Sequence, residues 1–469
     1  MKLVLCLLLP ALAFGASIEN PKSKIENLPS PAPAASQCSN LTAAPDGTLH
    51  LTYYGPATAS ASGVEPAART LWHASLSPGA TAFSSPHAII TTPLLMENWA
   101  DFASLAVGTD GALTAQWFQN NDSGGQHSYS GWFSRSDDGG LTWRTPAPLG
   151  KEFVALAPLS SGRTLAVWLA STRQHDPSAA PRPKRDPNAP RPPRDPNAPY
   201  APAMKLMARL LAPDGTSLGD WTVDPDVCTC CQNTVAVLPG DRVFAAYRGH
   251  TADEIRDNKF SLFDLKSGTW TAPATLRDDG WKIPACPVNG PAADTRGPAL
   301  AVAWFTAANG TPRVQSAYSA NSARTFTAPV VIDLGRPMGR LETVMLGDQS
   351  ALIFWMELGT AENAAGIYTR RLWPDSTLSA PQLVAASSSA RSSGFPRAAL
   401  RPSGQVVLSY TQTGETSQVG LLSLDPATLT RPTSRALTTT SKTLNSQLST
   451  LNSSPTALEF CIAPTLASH

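Results

Sequence analysis

The chain has 469 residues, a net charge of +1 and only 15% charged residues. That balance excludes a general electrostatic attraction to nucleic acid or to an acidic lipid surface. Pro (43) and Gly (32) are abundant and long amphipathic helical stretches are missing, which excludes a helical bundle and predicts an all-β chain with many turns. At the N-terminus, Met1-Lys2 precedes an apolar run from Leu3 to Phe14. Small residues at Ala11-Leu12-Ala13 and Ala13-Phe14-Gly15 complete the pattern of a secretory signal peptide over residues 1–16. The run is too short to span a bilayer and no later stretch reads as a transmembrane helix, so the mature chain is expected to be secreted or periplasmic. Residues 17–36 read as a linker.

From residue 37 to 430 a short apolar strand carrying an aromatic recurs seven times, as Leu49–Tyr54, Leu113–Phe118, Leu165–Leu169, Val243–Tyr247, Leu300–Phe305, Ala351–Met356 and Val406–Tyr410. Between consecutive copies stands a turn marker, an aromatic followed three residues later by Pro: Phe83/Pro86, Trp143/Pro146, Trp270/Pro273 and Phe326/Pro329. Leu378/Pro381 is a weaker version, and Trp221/Asp224 lacks the Pro. Each unit therefore reads as four strands, and a four-stranded unit of about 50 residues repeated around a ring is a β-propeller blade. Seven units are predicted, over residues 37–92, 98–150, 152–226, 230–277, 287–333, 340–385 and 394–430, with six blades as the alternative. The last unit lacks a fourth strand of its own, which the N-terminal segment is expected to supply. Residues 176–203, containing Arg185-Asp186-Pro187-Asn188-Ala189-Pro190 and its repeat at Arg194 to Pro199, read as a Pro-rich insert. Residues 431–469 read as a low-complexity tail.

One turn stands out. Ser136-Asp137-Asp138-Gly139-Gly140-Leu141-Thr142-Trp143 places an acceptor where turn amides converge, a glycine where φ is positive, and an indole under the corner. Ser319 to Phe326 repeats it with Asn321 for Asp, Ala323 for Gly and Phe326 for Trp. This pattern resembles the Asp-box of sialidase-like β-propellers. A closer resemblance, over roughly residues 95–410, is to exported bacterial sialidase-like propellers. It is carried by Cys228-Thr229-Cys230-Cys231-Gln232, Tyr247-Arg248, Glu254-Ile255-Arg256-Asp257, Cys286-Pro287-Val288-Asn289-Gly290-Pro291, Gly339-Arg340 and Gly394-Phe395-Pro396-Arg397.

Loops opening on one face of a propeller surround its central channel, and here they collect charges of both signs. Arg173, Arg248, Arg256, Asp257, Asn289, Arg340 and Arg397 are candidates to hold an anionic or polyhydroxylated ligand, with arginine forks on a carboxylate. The resemblance implies an acid such as Asp101, a tyrosine nucleophile such as Tyr247, and a glutamate partner such as Glu254 or Glu342. The Arg-Ile-Pro motif of sialidases is missing, the first arginine being Arg69.

Once Cys6 leaves with the signal peptide, Cys38, Cys228, Cys230, Cys231, Cys286 and Cys461 remain, an even number that favours disulfides. Cys286 with one member of the Cys228/Cys230/Cys231 triplet, and Cys38 with Cys461, are the expected pairings. A thiolate metal site on the first four is the alternative, although their spacing matches no standard zinc pattern. The functional expectation is a monomeric, cofactor-free propeller that recognises a glycan carrying an acidic sugar and hydrolyses it from the chain end. The competing expectation is a non-catalytic propeller that binds carbohydrate or protein, or scaffolds an envelope complex.

Overall fold

A computed structural model describes residues 25–57, 68–121, 129–172 and 200–432. Seven antiparallel sheets follow one another along the chain, each starting a new blade where the previous one ends. Seven blades, not six, make the ring. The strands predicted from apolar, aromatic-bearing runs are the second strands of these blades: Leu49–Pro56, Leu113–Asn120, Thr164–Ser171, Arg242–Arg248, Ala299–Thr306, Ala351–Leu358 and Val406–Gln412. Both faces of such a strand meet a neighbouring blade, so it is apolar without alternation; every residue of Ala299–Thr306 is buried.

Packing explains why the aromatic recurs. The buried apolar residues fall into seven clusters, one in each cleft between adjacent blades, the last joining blade seven to blade one. Wedge-shaped clefts need bulk, and Trp117, Trp304, Trp355, Tyr53, Tyr54 and Tyr247 supply it, all fully buried. The ring closes through Ile25–Leu28, which pairs antiparallel with Gln418–Leu424 and becomes the fourth strand of the seventh sheet.

The Pro of the turn marker stands directly before the outermost strand in blades one, two, four and five: His87–Thr92, Ala147–Pro148, Ala274–Thr275 and Val330–Val331. Blade three differs. With Asp224 at the marker's Pro position and Pro225 one residue later, Trp221 and Asp224 lie inside a continuous outer strand, Ser217–Val227, rather than at a turn. Pro225 is accommodated inside this edge strand at a register shift, between the Asp224–Leu206 and Val227–Met204 pairs.

The Ser136–Trp143 turn has the bonding its residues imply. Asp138 accepts from the backbone N–H of Leu141 (3.1 Å) and Thr142 (2.9 Å) and from the Ser136 hydroxyl (2.7 Å). Gly140 has φ +93°, and a Cβ there would meet Nδ1 of His73 at 2.2 Å. Among the described residues no helix is long and apolar enough to cross a membrane.

Candidate functional site

Each blade begins with its innermost strand, and these seven strands wall a cavity of about 830 Å³ along the ring axis. Three of them carry bulges, between Gln37 and Asn40, Glu152 and Ala155, and Gly339 and Glu342. At or beside the strand starts, Cys38 (φ +53°), Phe153 (φ +53°), Val288 (φ +49°) and Arg340 (φ +55°) adopt a left-handed backbone although none is glycine. For Val288 this is a true outlier, and such backbone strain concentrates at functional sites. A bulge re-aims side chains, and here it turns Asn40 and Glu342 toward the cavity.

Of the residues predicted from sequence, Asp101, Glu342 and Arg397 line this cavity together. Asp101 is 3% exposed; its Oδ1 accepts from the Phe153 N–H at 2.9 Å, while its buried Oδ2 has no hydrogen-bond partner. Burial, reinforced by the nearby Glu152 carboxylate, pushes the Asp101 pKa well above the usual range. Glu342 is also buried, and burial raises its pKa to about 7 against the opposing pull of Arg397. Its Oε2 stands 2.9 Å from Nη1 of Arg397, but the angles do not make a hydrogen bond, so that oxygen is also without a donor. Arg397 keeps about a third of its side chain exposed (32%). Asp294, half-buried on the cavity wall, has its pKa pushed up to about 6 by desolvation and accepts from the N–H groups of Thr295 and Met345. Sequence reasoning missed Asp294; its signal was an acidic residue in the middle of the otherwise small inner strand Ala292–Arg296.

The other predicted residues do not line the cavity. Arg248 is 1% exposed, stacks 4.9 Å from the Trp281 ring, and donates to the carbonyls of Asn289, Arg256 and Phe305. Arg340 lies 4.8 Å over the Trp99 ring and donates to Ser393 Oγ and to the Ala390 and Gly394 carbonyls; burial lowers its pKa to about 10. Asn289 organises this region, bonding Met338 O through its side-chain amide and accepting the Arg340 N–H. Asp257 accepts the amides of Gly280 and Trp281. Tyr247, fully buried in its blade, donates to Asp224 at 3.0 Å, and burial first, then Asp224, raises its pKa far from that of a nucleophile. Glu254 bridges His250 (2.9 Å) and Arg256 (2.8 Å); these bonds outweigh burial and hold its pKa low. His250 also meets Asp226 and Tyr200. Arg173 lies outside the described residues.

Cys230 and Cys286 form a disulfide, while Cys38, Cys228 and Cys231 are free thiols; Cys461 lies outside the described residues. Cys38 is buried beside Thr411, whose hydroxyl accepts its N–H.

No family model and no curated protein matches the chain. Among solved structures the fold is similar to a protein of unknown function from Dyadobacter fermentans, with 13% identity, 86% of this chain and 100% of that one covered, and a TM-score of 0.45. It is also similar to the NanB sialidase of Streptococcus pneumoniae (9% identity, 87% and 95% covered, TM-score 0.45) and to Trypanosoma rangeli sialidase (10%, 80% and 60%, 0.42). At these identities the likeness is one of fold.

Proposed function

We propose that the chain is an exported glycan-acting propeller that takes a saccharide into the Asp101–Glu342–Arg397 end of its axial cavity and hydrolyses a glycosidic bond there. One observation carries this reading: two buried carboxyl oxygens, Asp101 Oδ2 and Glu342 Oε2, lack hydrogen-bond partners in a cavity they share with a partly exposed arginine. Buried polar atoms are normally satisfied, so such orphans are expected where a ligand completes them. Asp101, whose pKa burial holds well above the usual carboxylate range, is suited to donate a proton to the leaving oxygen. Glu342, raised to about 7, is suited to accept one from water. Arg397 faces the ligand's acidic group as a single fork.

A non-catalytic glycan binder is the second reading. It is favoured by the commitment of Arg248, Arg256 and Arg340 to protein acceptors, which leaves the grip on a carboxylate to Arg397. Turnover of a fluorogenic sialoside and uronide panel by purified mature protein separates the two. Release that disappears in both Asp101→Asn and Arg397→Ala supports hydrolysis. Binding on a glycan array without release, lost in Arg397→Ala, supports the binder. Neither release nor binding would overturn the glycan assignment.

A further inference from the structure

A second buried cluster lies beside the cavity wall. The sulfurs of Cys228, Cys230 and Cys231 are within 4.8 Å of one another. With Cys230 bonded to Cys286, the two free thiols are Cys228 and Cys231, 2.9 Å apart, neither more than 1% exposed. They close a Cys-x-x-Cys segment. Two sulfurs on one zinc, each at about 2.3 Å, stand roughly 3.7 Å apart, wider than this pair. A disulfide needs about 2.05 Å, less than an ångström shorter than the 2.9 Å at which this pair stands.

The surroundings are cationic. Nη1 of Arg256 is 3.4 Å from Cys228 Sγ, and Arg248 directs its donors to carbonyls, with no carboxylate ion pair among the described residues. Buried guanidinium groups call for an anion. Cys228 can supply it: burial opposes ionisation, but the Cys231 thiol, Arg248 and Arg256 together lower its pKa. The reduced pair is therefore held by charges that its oxidation would deprive of the thiolate, leaving Arg256 to Glu254 alone. No guanidinium contact is seen at Cys230–Cys286 among the described residues.

We propose that Cys228 and Cys231 are a redox-convertible pair, closing to a second disulfide that is more readily reduced than Cys230–Cys286. The oxidant is a small disulfide such as glutathione disulfide. In the refolding chain, before the corner is buried, the Cys228 thiolate attacks one of its sulfurs and expels a glutathione thiolate; Cys231, losing its proton, then attacks Cys228 Sγ and expels the second. Two electrons pass from the pair to the oxidant, and the two protons end on the glutathione thiols. The pair is next in sequence to Gln232, whose side chain donates to Ala100 O (2.7 Å) and accepts from the Gly290 N–H. Conversion thus acts on the wall that abuts Asp101.

The test is refolding of the full chain across graded glutathione/glutathione-disulfide ratios, followed by acid quench, alkylation and peptide mapping. The Cys228–Cys231 bond is expected to be half-reduced at a reductant level at least about tenfold lower than Cys230–Cys286. Arg256→Lys should keep that order, and Arg256→Gln should narrow the gap. Alkylation of both Cys228 and Cys231 at the most oxidising ratio would overturn the proposal. So would a bond from either to Cys286, a single reduction step for both disulfides, or stoichiometric zinc or copper retained by the pair after dialysis. Should Arg256→Gln not fold, the unsubstituted chain and the Lys variant still decide by the same mapping.

Discussion

The cavity mouth and the cysteine corner of blade four both gather buried charges within one ring, and they treat them in opposite ways. At the corner every charged group has been given partners by the protein. Arg248 meets three carbonyls, Arg256 meets Ile283 O, Glu254 and Cys228, and Glu254 is shared with His250. At the mouth the protein leaves Asp101 Oδ2 and Glu342 Oε2 without donors. Since an unpaired buried polar atom costs about 1–3 kcal/mol, the mouth is a place where stability has been given up. The difference teaches that charge clustering alone does not mark a site; carboxyl oxygens left without donors inside a cavity are the better guide.

The largest effect should come from the mouth. Asp101→Asn keeps the shape but removes the proton, and turnover should fall by about 10²–10⁴-fold. Stability should not fall with it, because a neutral amide replaces a carboxyl whose charged form is already disfavoured by burial. A denaturant titration run beside the kinetics checks this. A variant that loses activity only as far as it loses folded protein would break the comparison.

The corner should respond the other way. Arg248→Met leaves the Asn289, Arg256 and Phe305 carbonyls without their donors, and the predicted loss is about 3 kcal/mol of folding free energy. Urea midpoints measure it. Glycan binding by the fraction that remains folded should be unchanged, since Arg248 does not line the cavity.

A smaller contrast appears in the pH dependence of stability. His50 and His73 are buried against each other, 2.9 Å apart, and burial lowers their pKa values to about 4 and about 3. In the unfolded chain they take up protons first, so their contribution is complete above pH 6.5 and is lost as pH falls toward 4. Glu342 runs oppositely: with its pKa raised to about 7, its contribution is complete below pH 4.5 and is lost as pH rises to 7. Asp294, raised to about 6, adds to the Glu342 trend. Acidification from pH 6.5 to 4.5 therefore carries two opposing slopes. Glu342→Gln should steepen the acid-side loss, and the double substitution His50→Asn, His73→Asn should flatten it by roughly 3 kcal/mol. Melting temperatures measured across that window read both.

The ring was legible in the sequence because its signal is redundant. Seven apolar runs bearing aromatics answer to seven clefts, and Pro146, Pro273 and Pro329 announce outer strands whatever the rest of the turn has become. The mouth was legible only in part. Arg248 after Tyr247 and Arg397 after Pro396 look equally functional as text. What separates them is whether carbonyls from another blade are waiting, as those of Asn289 and Phe305 are for Arg248, and that is not written in residue spacing. Tyr247, an aromatic on a second strand, fills a cleft between blades.

The smallest prediction concerns the two turns that made the sequence readable. Ser319–Phe326 keeps the bonds of Ser136–Trp143 with altered residues. Asn321 Oδ1 accepts from the Thr325 N–H at 3.0 Å, as Asp138 does from Thr142, and the Ala323 N–H donates to Ser319 Oγ at 3.0 Å, as Gly140 does to Ser136. The altered residue keeps the strain: Ala323 has φ +62°, and its neighbour Ser322 has φ +59°. Ala323→Gly relieves that conformation but loosens the unfolded chain, so the gain should be at most about 1 kcal/mol. Gly140→Ala should cost more than Ala323→Gly returns, because a Cβ at Gly140 runs into His73. Equal and opposite shifts in melting temperature for the two substitutions would mean that backbone strain alone sets these turns, and that the packing of His73 under Gly140 contributes nothing.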